Sequence, residues 1–418
     1  MQLETIAALI VFIVTYLLIA VNRTPWYRLK RCDVALIGAI GMIIVHALTI
    51  GEAADSIDFK VIFLLLGMMT LVAGLEYTGF FTLVSDRLLR YSGSGAKLLA
   101  AVMVSSAVLS AIALNDAVVL MFTPIVIKCC RRIGMNPIPY LVGLMMSANI
   151  GSIATPVGNP QNAYIVSRTG IGFLEYSMYS IPISLCCLIV TYLILLLIYR
   201  KRLMEPAKIS EKDEEMRRVD NFRLEVMIGI VCATFAGFIL TGFYDFELYQ
   251  VAMVSGIASA VVIMSGSFRN IGWLAGRIDW SILLFFIGLF VLIGGASHSG
   301  LISEFSSIVP GFGEGETPDV MSLSVFTVVL SNLVSNVPAV MLIMEMMPTS
   351  DLMLCVVLAA ASTLAGNTTL LGSAANIIVA ERSERYGVRI DFFRFTAVGI
   401  VVTVATIAVM LLCVELMF

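Results

Sequence analysis

Two polar, glycine-bearing stretches interrupt otherwise apolar runs, TPVGNPQN (155–162) and GNTTLLGSAAN (366–376). Two further points carry an asparagine between mostly apolar flanks, Leu114-Asn115-Asp116 and Ser335-Asn336-Val337. Asn and Gln side chains supply an acceptor carbonyl and a donor amide together. Unwound backbone beside them adds free carbonyls and N–H groups. Carbonyls and the C-terminal ends of half-helices suit Na⁺ or H⁺, whereas half-helix N-termini suit an anion. The candidate binding set is therefore Asn115, Asp116, Thr155, Gly158, Asn159, Gln161, Asn162, Ser335, Asn336, Thr369, Gly372, Ser373 and Asn376. Such a set can hold a small anion or neutral oxyacid beside one or two cations.

Asp116 is the one acid expected near the centre of the molecule. As a carboxylate it can ligate Na⁺, with Asn115 and Gly158 as further ligands, or carry a coupling proton. It can equally cap the helix that follows it, AVVLMFTPIVI, and the two roles are compatible. Asp58 and Asp279 each directly precede an apolar run and read as helix N-caps. Glu76, Glu345 and Glu381 fall near the ends of apolar runs, where solvation explains them, and His46 and His298 lie near outer ends. No triad, metal cluster or phosphate loop appears, so the residues point to no enzyme, no resident cofactor or metal, and no nucleic-acid partner. The eight cysteines include the adjacent pairs Cys129–Cys130 and Cys186–Cys187, without metal-ligand spacing. They read as buried structural thiols, with a soft-metalloid thiol site as the other reading.

The elements that must position these residues follow from composition. Of the 418 residues 59% are hydrophobic and 13% charged, about half the charge of a soluble domain, and mean hydropathy is +0.98. Runs such as LETIAALIVFIVTYLLIAV reach the roughly 20 apolar residues that a hydrocarbon core of about 30 Å requires. The first run has no basic segment before it and NRTPWYRLKR after it, so it reads as an uncleaved span rather than a signal peptide. Spans are expected near 3–21, 33–50, 59–77, 138–167, 177–199, 224–241, 250–266, 280–297, 352–381 and 393–417. The positive-inside rule places the N-terminus outside and the 200–223 loop in the cytoplasm. Only Lys60 and Arg168 of 26 basic residues then fall outside.

This orientation requires 98–127 and 320–347 each to enter and leave on one side. Their second legs, Ala117 to Lys128 and Val337 to Met347, reach only about 18 Å at 1.5 Å per residue, so both read as re-entrant hairpins. Tips at that depth persist only when buried in protein or lining a wet cavity. The halves also repeat. Ile57, Asp58, Gly67, Gly74, Gly79 and Asn115 recur 221 residues later, and Thr155, Gly158 and Asn162 recur 214 residues later as Thr369, Gly372 and Asn376. Partners lie on opposite sides of the membrane, which makes an inverted-topology repeat with paired breaks, the usual pointer to a transporter's site.

The expected fold is an all-α polytopic membrane protein of about 10–11 spans, with two re-entrant hairpins and two discontinuous helices. Residues 1–199 form the first repeat (hairpin 98–127, broken helix 138–167) and 200–223 a cytoplasmic linker. Residues 224–418 form the second repeat (hairpin 320–347, broken helix 352–381).

An Asn-tipped hairpin, then TP-x-GNPQN, then SNVPAV, then GN-x-T-x-LGSAANIIVAE resembles the ion transporter superfamily with the citrate-transporter-like domain. Within it the pattern is most similar to the arsenite permease and melanosomal P protein branch. The resemblance covers essentially the whole chain. It implies a scaffold plus a transport unit of two hairpins and two broken helices, with alternating access and assembly as a homodimer. The sodium/dicarboxylate branch carries Ser-Asn-Thr at both tips; here the Asn is kept at Asn115 and Asn336, the Ser only at Ser335, and the Thr at neither. The resulting expectation is a multi-pass plasma-membrane secondary transporter of a small anion or oxyanion, arsenite or antimonite first, coupled to H⁺ or Na⁺. A sodium/proton antiporter using Asp116, a sodium-coupled di- or tricarboxylate symporter and an anion channel are the rivals.

Overall fold

The computed structural model describes residues 3–21, 30–89, 94–203, 221–267, 269–309, 311–312, 318–347 and 350–418. Among them lie twenty helices and no strand. Most of the 200–223 linker falls outside the described residues; the preceding helix, Phe173–Leu203, runs into its start.

Six helices are individually long and apolar enough to cross a bilayer, and shorter apolar helices such as Leu248–Met264 accompany them. Aspartates begin many of them. Asp58 Oδ1 accepts from the Lys60 and Val61 amides, and Asp279 Oδ1 from those of Ser281 and Ile282. Asp319, Asp351 and Asp391 cap three more helices in the same way. The carboxylate satisfies N–H groups that the first helical turn leaves unpaired.

One pair of long helices meets at glycine. Phe59–Tyr77 packs along Leu248–Met264, with Gly67 facing Gly256 at the crossing. A Cβ on Gly67 would meet the Ala252 carbonyl and the Met253 amide nitrogen, the latter 2.9 Å away. Backbone cannot swing aside as a side chain can, and small residues at membrane-helix crossings permit such close approach. Gly67→Ala is expected to lower stability by about 1–3 kcal/mol, read as a lower thermal midpoint in detergent; an unchanged midpoint would refute the close-approach account.

Both re-entrant hairpins are present. The first consists of Gly95–Ile112 and Asn115–Arg132, the second of Val320–Val334 and Asn336–Met346. The return leg of the first is longer than the sequence suggested. It has 18 residues and ends in Arg131 and Arg132, so it reaches about 27 Å and the short-leg argument holds only for the second hairpin. The basic residues that looked like a flanking loop form its last turn. Its tip is nonetheless internal, because the Asn115 amide donates to the Gly158 carbonyl inside the first break, at 3.0 Å.

Both discontinuous helices are present too. Ile138–Ser152 is followed, after the break, by Pro160–Thr169, and Leu352–Ala365 by Ala374–Arg385. Other bounds differ from expectation. The 33–50 span is the helix Arg31–Ile44, and Ile50–Asp55 is a separate short helix. The intervening His46 has φ 58°, a left-handed turn that ends the span. Thr49 caps the short helix, and its backbone and side-chain hydrogen bonds hold the Glu52 carboxyl below the usual range. Short helices Phe80–Leu89, Asn270–Ala275 and Leu301–Ile308 occupy stretches for which no element was expected.

Candidate functional site

The two breaks are held by the same device. Asn162 Nδ2 donates to the carbonyls of Ser152 (3.0 Å) and Thr155 (3.1 Å). Its counterpart Asn376 donates from Nδ2 to those of Gly366 (2.7 Å) and Thr369 (3.1 Å). Each acceptor pair is related by the 214-residue offset. These amides satisfy carbonyls left when a helix stops, which unwound backbone at membrane depth demands.

Each broken helix resumes differently. Asn159 is the N-cap of Pro160–Thr169; its Oδ1 accepts from the Asn162 amide at 2.9 Å, and Pro160 occupies the first helical position. At the second break Ser373 holds the N-cap position, yet its hydroxyl donates to Asn149 Oδ1 at 3.0 Å instead of capping. The first-turn amides of Ala374–Arg385 thus receive no side-chain cap.

Asn149 is the centre of the polar network. Its Oδ1 accepts from Asn115 Nδ2 (3.2 Å) as well as from Ser373, and its Nδ2 donates to Asn367 Oδ1 (2.9 Å) and Asn376 Oδ1 (3.2 Å). One fully buried side chain therefore joins the first hairpin to the second break. The repeat partner of Asn149 is Thr363, whose Oγ1 accepts from Asn159 Nδ2 (3.1 Å) and Gln161 Nε2 (3.3 Å).

A cavity of about 410 Å³ lies where the hairpin tips meet the breaks. Six of the expected residues line it: Asn115, Asp116, Gln161, Ser335, Asn336 and Ser373. The other seven stand behind the lining. Asn159, Asn162, Asn376 and Thr369 take part in the bonds just described, and Thr155 Oγ1 donates to the Ala111 carbonyl at 2.6 Å. Gly158 and Gly372 allow close backbone packing: a Cβ at Gly158 would stand 2.8 Å from Ser152 Cα and 2.9 Å from the Ser110 carbonyl.

Four helix N-termini meet at this cavity. The return legs begin at Asn115 and Asn336 and the half-helices at Pro160 and Ala374, and all four residues or their immediate neighbours line it. Three of the four N-cap residues, Leu114, Ser335 and Ser373, make no side-chain cap bond. Each N-terminus presents roughly half a positive charge. Asp116 is the second residue of its helix, inside the first turn, so Leu114 and not Asp116 holds the cap position. Arg31 and Asp279 are the charges that act on it across the cavity. Ser335 adopts φ 81°, ψ 158°, a region almost confined to glycine whose cost is of order 1–3 kcal/mol. Arg31 Nη1 donates to its hydroxyl at 3.4 Å. Asn336 Oδ1 is buried and accepts no hydrogen bond among the described residues.

Lys30, Arg31, Asp279 and Glu381 also line the cavity. Asn149 and Asn367 complete the network. Sequence reasoning assigned the basic pair to topology and passed over both asparagines. For Asn149 the available signal was a polar amide six residues before Thr155, which opens the first break, within SANIGS.

The citrate transporter family matches residues 16–352. A 46 kDa membrane protein of Mycobacterium leprae is 30% identical over 431 residues, covering 97% of this chain and 96% of that one. The silicon efflux transporter LSI3 of Oryza sativa subsp. japonica is 28% identical, over 90% of each. A Dictyostelium discoideum protein carrying the name arsB is 25% identical, over 96% and 90% respectively. The YdaH transporter of Alcanivorax borkumensis, described as having an unusual topology, shares the fold with a TM-score of 0.63 at 15% identity, over 99% and 98% of the chains. Matched over most of its length, the chain belongs to the citrate transporter family and is an integral membrane transporter of the small-anion type.

Proposed function

We propose that this protein is a secondary active transporter of a small hydroxylated oxyacid or oxyanion, of the arsenite and antimonite kind, coupled to H⁺ through Asp116. The observation that carries the reading is the meeting of four helix N-termini, three of them without a side-chain cap, on one cavity. Such ends favour an anion. The hydroxyl-bearing Ser335 and Ser373 and the amide-bearing Asn115 and Gln161 line the same wall and offer donors and acceptors to a solute hydroxyl. The relatives named for silicon efflux and arsB agree with a small hydroxylated solute.

Asp116 shares the cavity with the solute, which links their occupancies. An ionised carboxylate repels an anion and accepts from a hydroxyl; a protonated one admits the anion and donates to it. Linked occupancy at one site is what coupling requires. A proton is favoured over Na⁺ because Gly158, one of the expected Na⁺ ligands, stands behind the cavity lining, which leaves Asp116 without that carbonyl as a co-ligand.

The test is uptake by proteoliposomes of arsenite, antimonite, silicic acid and citrate, under a pH gradient or a Na⁺ gradient. Accumulation of arsenite or antimonite driven by pH is expected. Proton movement driven by Na⁺ with no solute would replace this reading with a sodium/proton antiporter, and Na⁺-driven citrate uptake would replace it with a carboxylate symporter. Placement in the plasma membrane as a homodimer, with the N-terminus outside, belongs to the same proposal. Chemical cross-linking in membranes and labelling of the N-terminus on intact cells check it.

A further inference from the structure

The cysteines do not all fit the expected role of buried structural thiols. Five are buried, but Cys186 and Cys232 are exposed and Cys413 is half-buried. Cys186 and Cys413 belong to the last helices of the two repeats, Phe173–Leu203 and Phe392–Met417, which pack along each other.

Two contacts set the register of these helices. The rings of Tyr179 and Phe418 stack at 4.3 Å, and Cys187 Sγ donates to the Thr406 carbonyl at 3.5 Å. Numbers rise on one helix as they fall on the other, so the pair is antiparallel. Cys186 and Cys413 both fall between the two contacts. Tyr179, Ile183 and Cys186 follow at i, i+4 and i+7, and so do Thr406, Met410 and Cys413, which gives each set one helix face. The middle members, Ile183 and Met410, are fully buried, which turns both faces into the seam. Cys186 stands at its open edge, and the Cys186 and Cys413 thiols are hydrogen-bonding neighbours.

The pair is also near water. Cys413 sits close to the end of a 26-residue helix, whose length of about 39 Å exceeds a hydrocarbon core of about 30 Å. Exposed Glu415 lies just beyond it.

The chemistry open to two adjacent thiols depends on what else is at hand. A divalent cation takes thiolates and completes its shell with further ligands. Among the described residues no three His, Cys, Asp or Glu side chains are grouped as such an ion needs. A trivalent metalloid hydroxide needs only the two sulfurs. It is a soft acceptor suited to sulfur, and it is neutral before and after the exchange, which apolar surroundings tolerate.

We propose that Cys186 and Cys413 form a dithiol site for trivalent arsenic or antimony on the periphery of the molecule, apart from the central cavity. Two metalloid–hydroxyl bonds break and two metalloid–sulfur bonds form. The two thiol protons leave with the displaced hydroxides as two water molecules, and the metalloid keeps its third hydroxyl and its oxidation state. The bridge ties the closing helices of the two repeats together. This site is independent of the transport reading and of Asp116.

Two measurements on the purified, reduced full chain test it. Phenylarsine oxide closes on two thiols with loss of one water and is read by intact mass. The wild-type chain is expected to lose this adduct in Cys186→Ser and in Cys413→Ser, and to keep it in Cys232→Ser and Cys130→Ser. Serine preserves the size and hydrogen bonding of each thiol. X-ray absorption at the arsenic edge then reports the neighbours of bound arsenite itself. Two sulfur neighbours are expected in the wild-type chain, and oxygen neighbours alone in the Cys186→Ser/Cys413→Ser double variant. An adduct that persists in both single variants overturns the site, as does arsenite with only oxygen neighbours in the wild-type chain. Sulfur-bound arsenic without flux of any tested solute would support the site and sink the transport reading alone.

Discussion

Asp116→Asn is expected to abolish solute accumulation against a gradient while leaving downhill exchange in place. One coupled proton sets an accumulation ratio of about tenfold per unit of pH difference, equivalent to about 1.4 kcal/mol; in the variant the ratio falls to one. Asn resembles the protonated carboxyl in shape and in offering a donor, so the cavity still admits the solute and only the link to the proton is lost. Asp116 lines the cavity in the first turn of its helix, where Leu114 holds the cap position. The substitution therefore removes no capping bond. Paired uptake and exchange assays in proteoliposomes decide the matter. An Asp116→Asn chain that still concentrates solute under a pH gradient would place coupling elsewhere.

Asn149→Ala is expected to destabilise the protein more than any other single change in the cavity region. The substitution leaves Asn115 Nδ2, Ser373 Oγ, Asn367 Oδ1 and Asn376 Oδ1 each short of a hydrogen bond. A buried polar group left unpaired costs about 1–3 kcal/mol in water-soluble proteins, and single interhelical bonds in membranes average nearer about 0.6. Four together give about 2–4 kcal/mol, a fall in Tm of roughly 2–5 °C for a chain of this length. A thermal scan in detergent measures it, and a midpoint within a degree of wild type would show that Asn149 is not the joint between the halves. Because the bonds cross from hairpin to break, the variant should also bind its solute more weakly.

How much of this was legible in the sequence differs from element to element. The breaks were, because Gly158, Pro160 and their asparagines are out of place in apolar runs and recur at a fixed offset. The caps at Asp58 and Asp279 were legible for the same reason. The length of the first return leg was not: Lys128, Arg131 and Arg132 continue a helix whose end leaves the apolar layer, and hydropathy cannot tell a solvated last turn from a loop. Composition also could not separate residues that line the cavity from those that hold it open. Asn162 and Gln161 are neighbours of similar chemistry, yet one binds the backbone of the break and the other lines the space. That division depends on which side of a helix turn faces the opposite break, and so on tertiary packing. Arg31 shows the limit from the other side, since its charge marked a topology but its reach into the cavity needed the fold.

The amide staples at Asn162 and Asn376 have a consequence for the cost of moving. Each break carries its own satisfied backbone, since the carbonyls at 152, 155, 366 and 369 are bonded within the same discontinuous helix. A segment assembled in that way can change depth without offering a bare carbonyl to lipid at any point along the path. The energetic toll of each cycle then falls on the perimeter, at contacts such as Ser167 with Asp58 and Arg168 with Glu345. In the proposed transport cycle, exchanging rim residues such as Ser167 or Arg168 is therefore expected to change the turnover rate while leaving the cargo compartment unaltered.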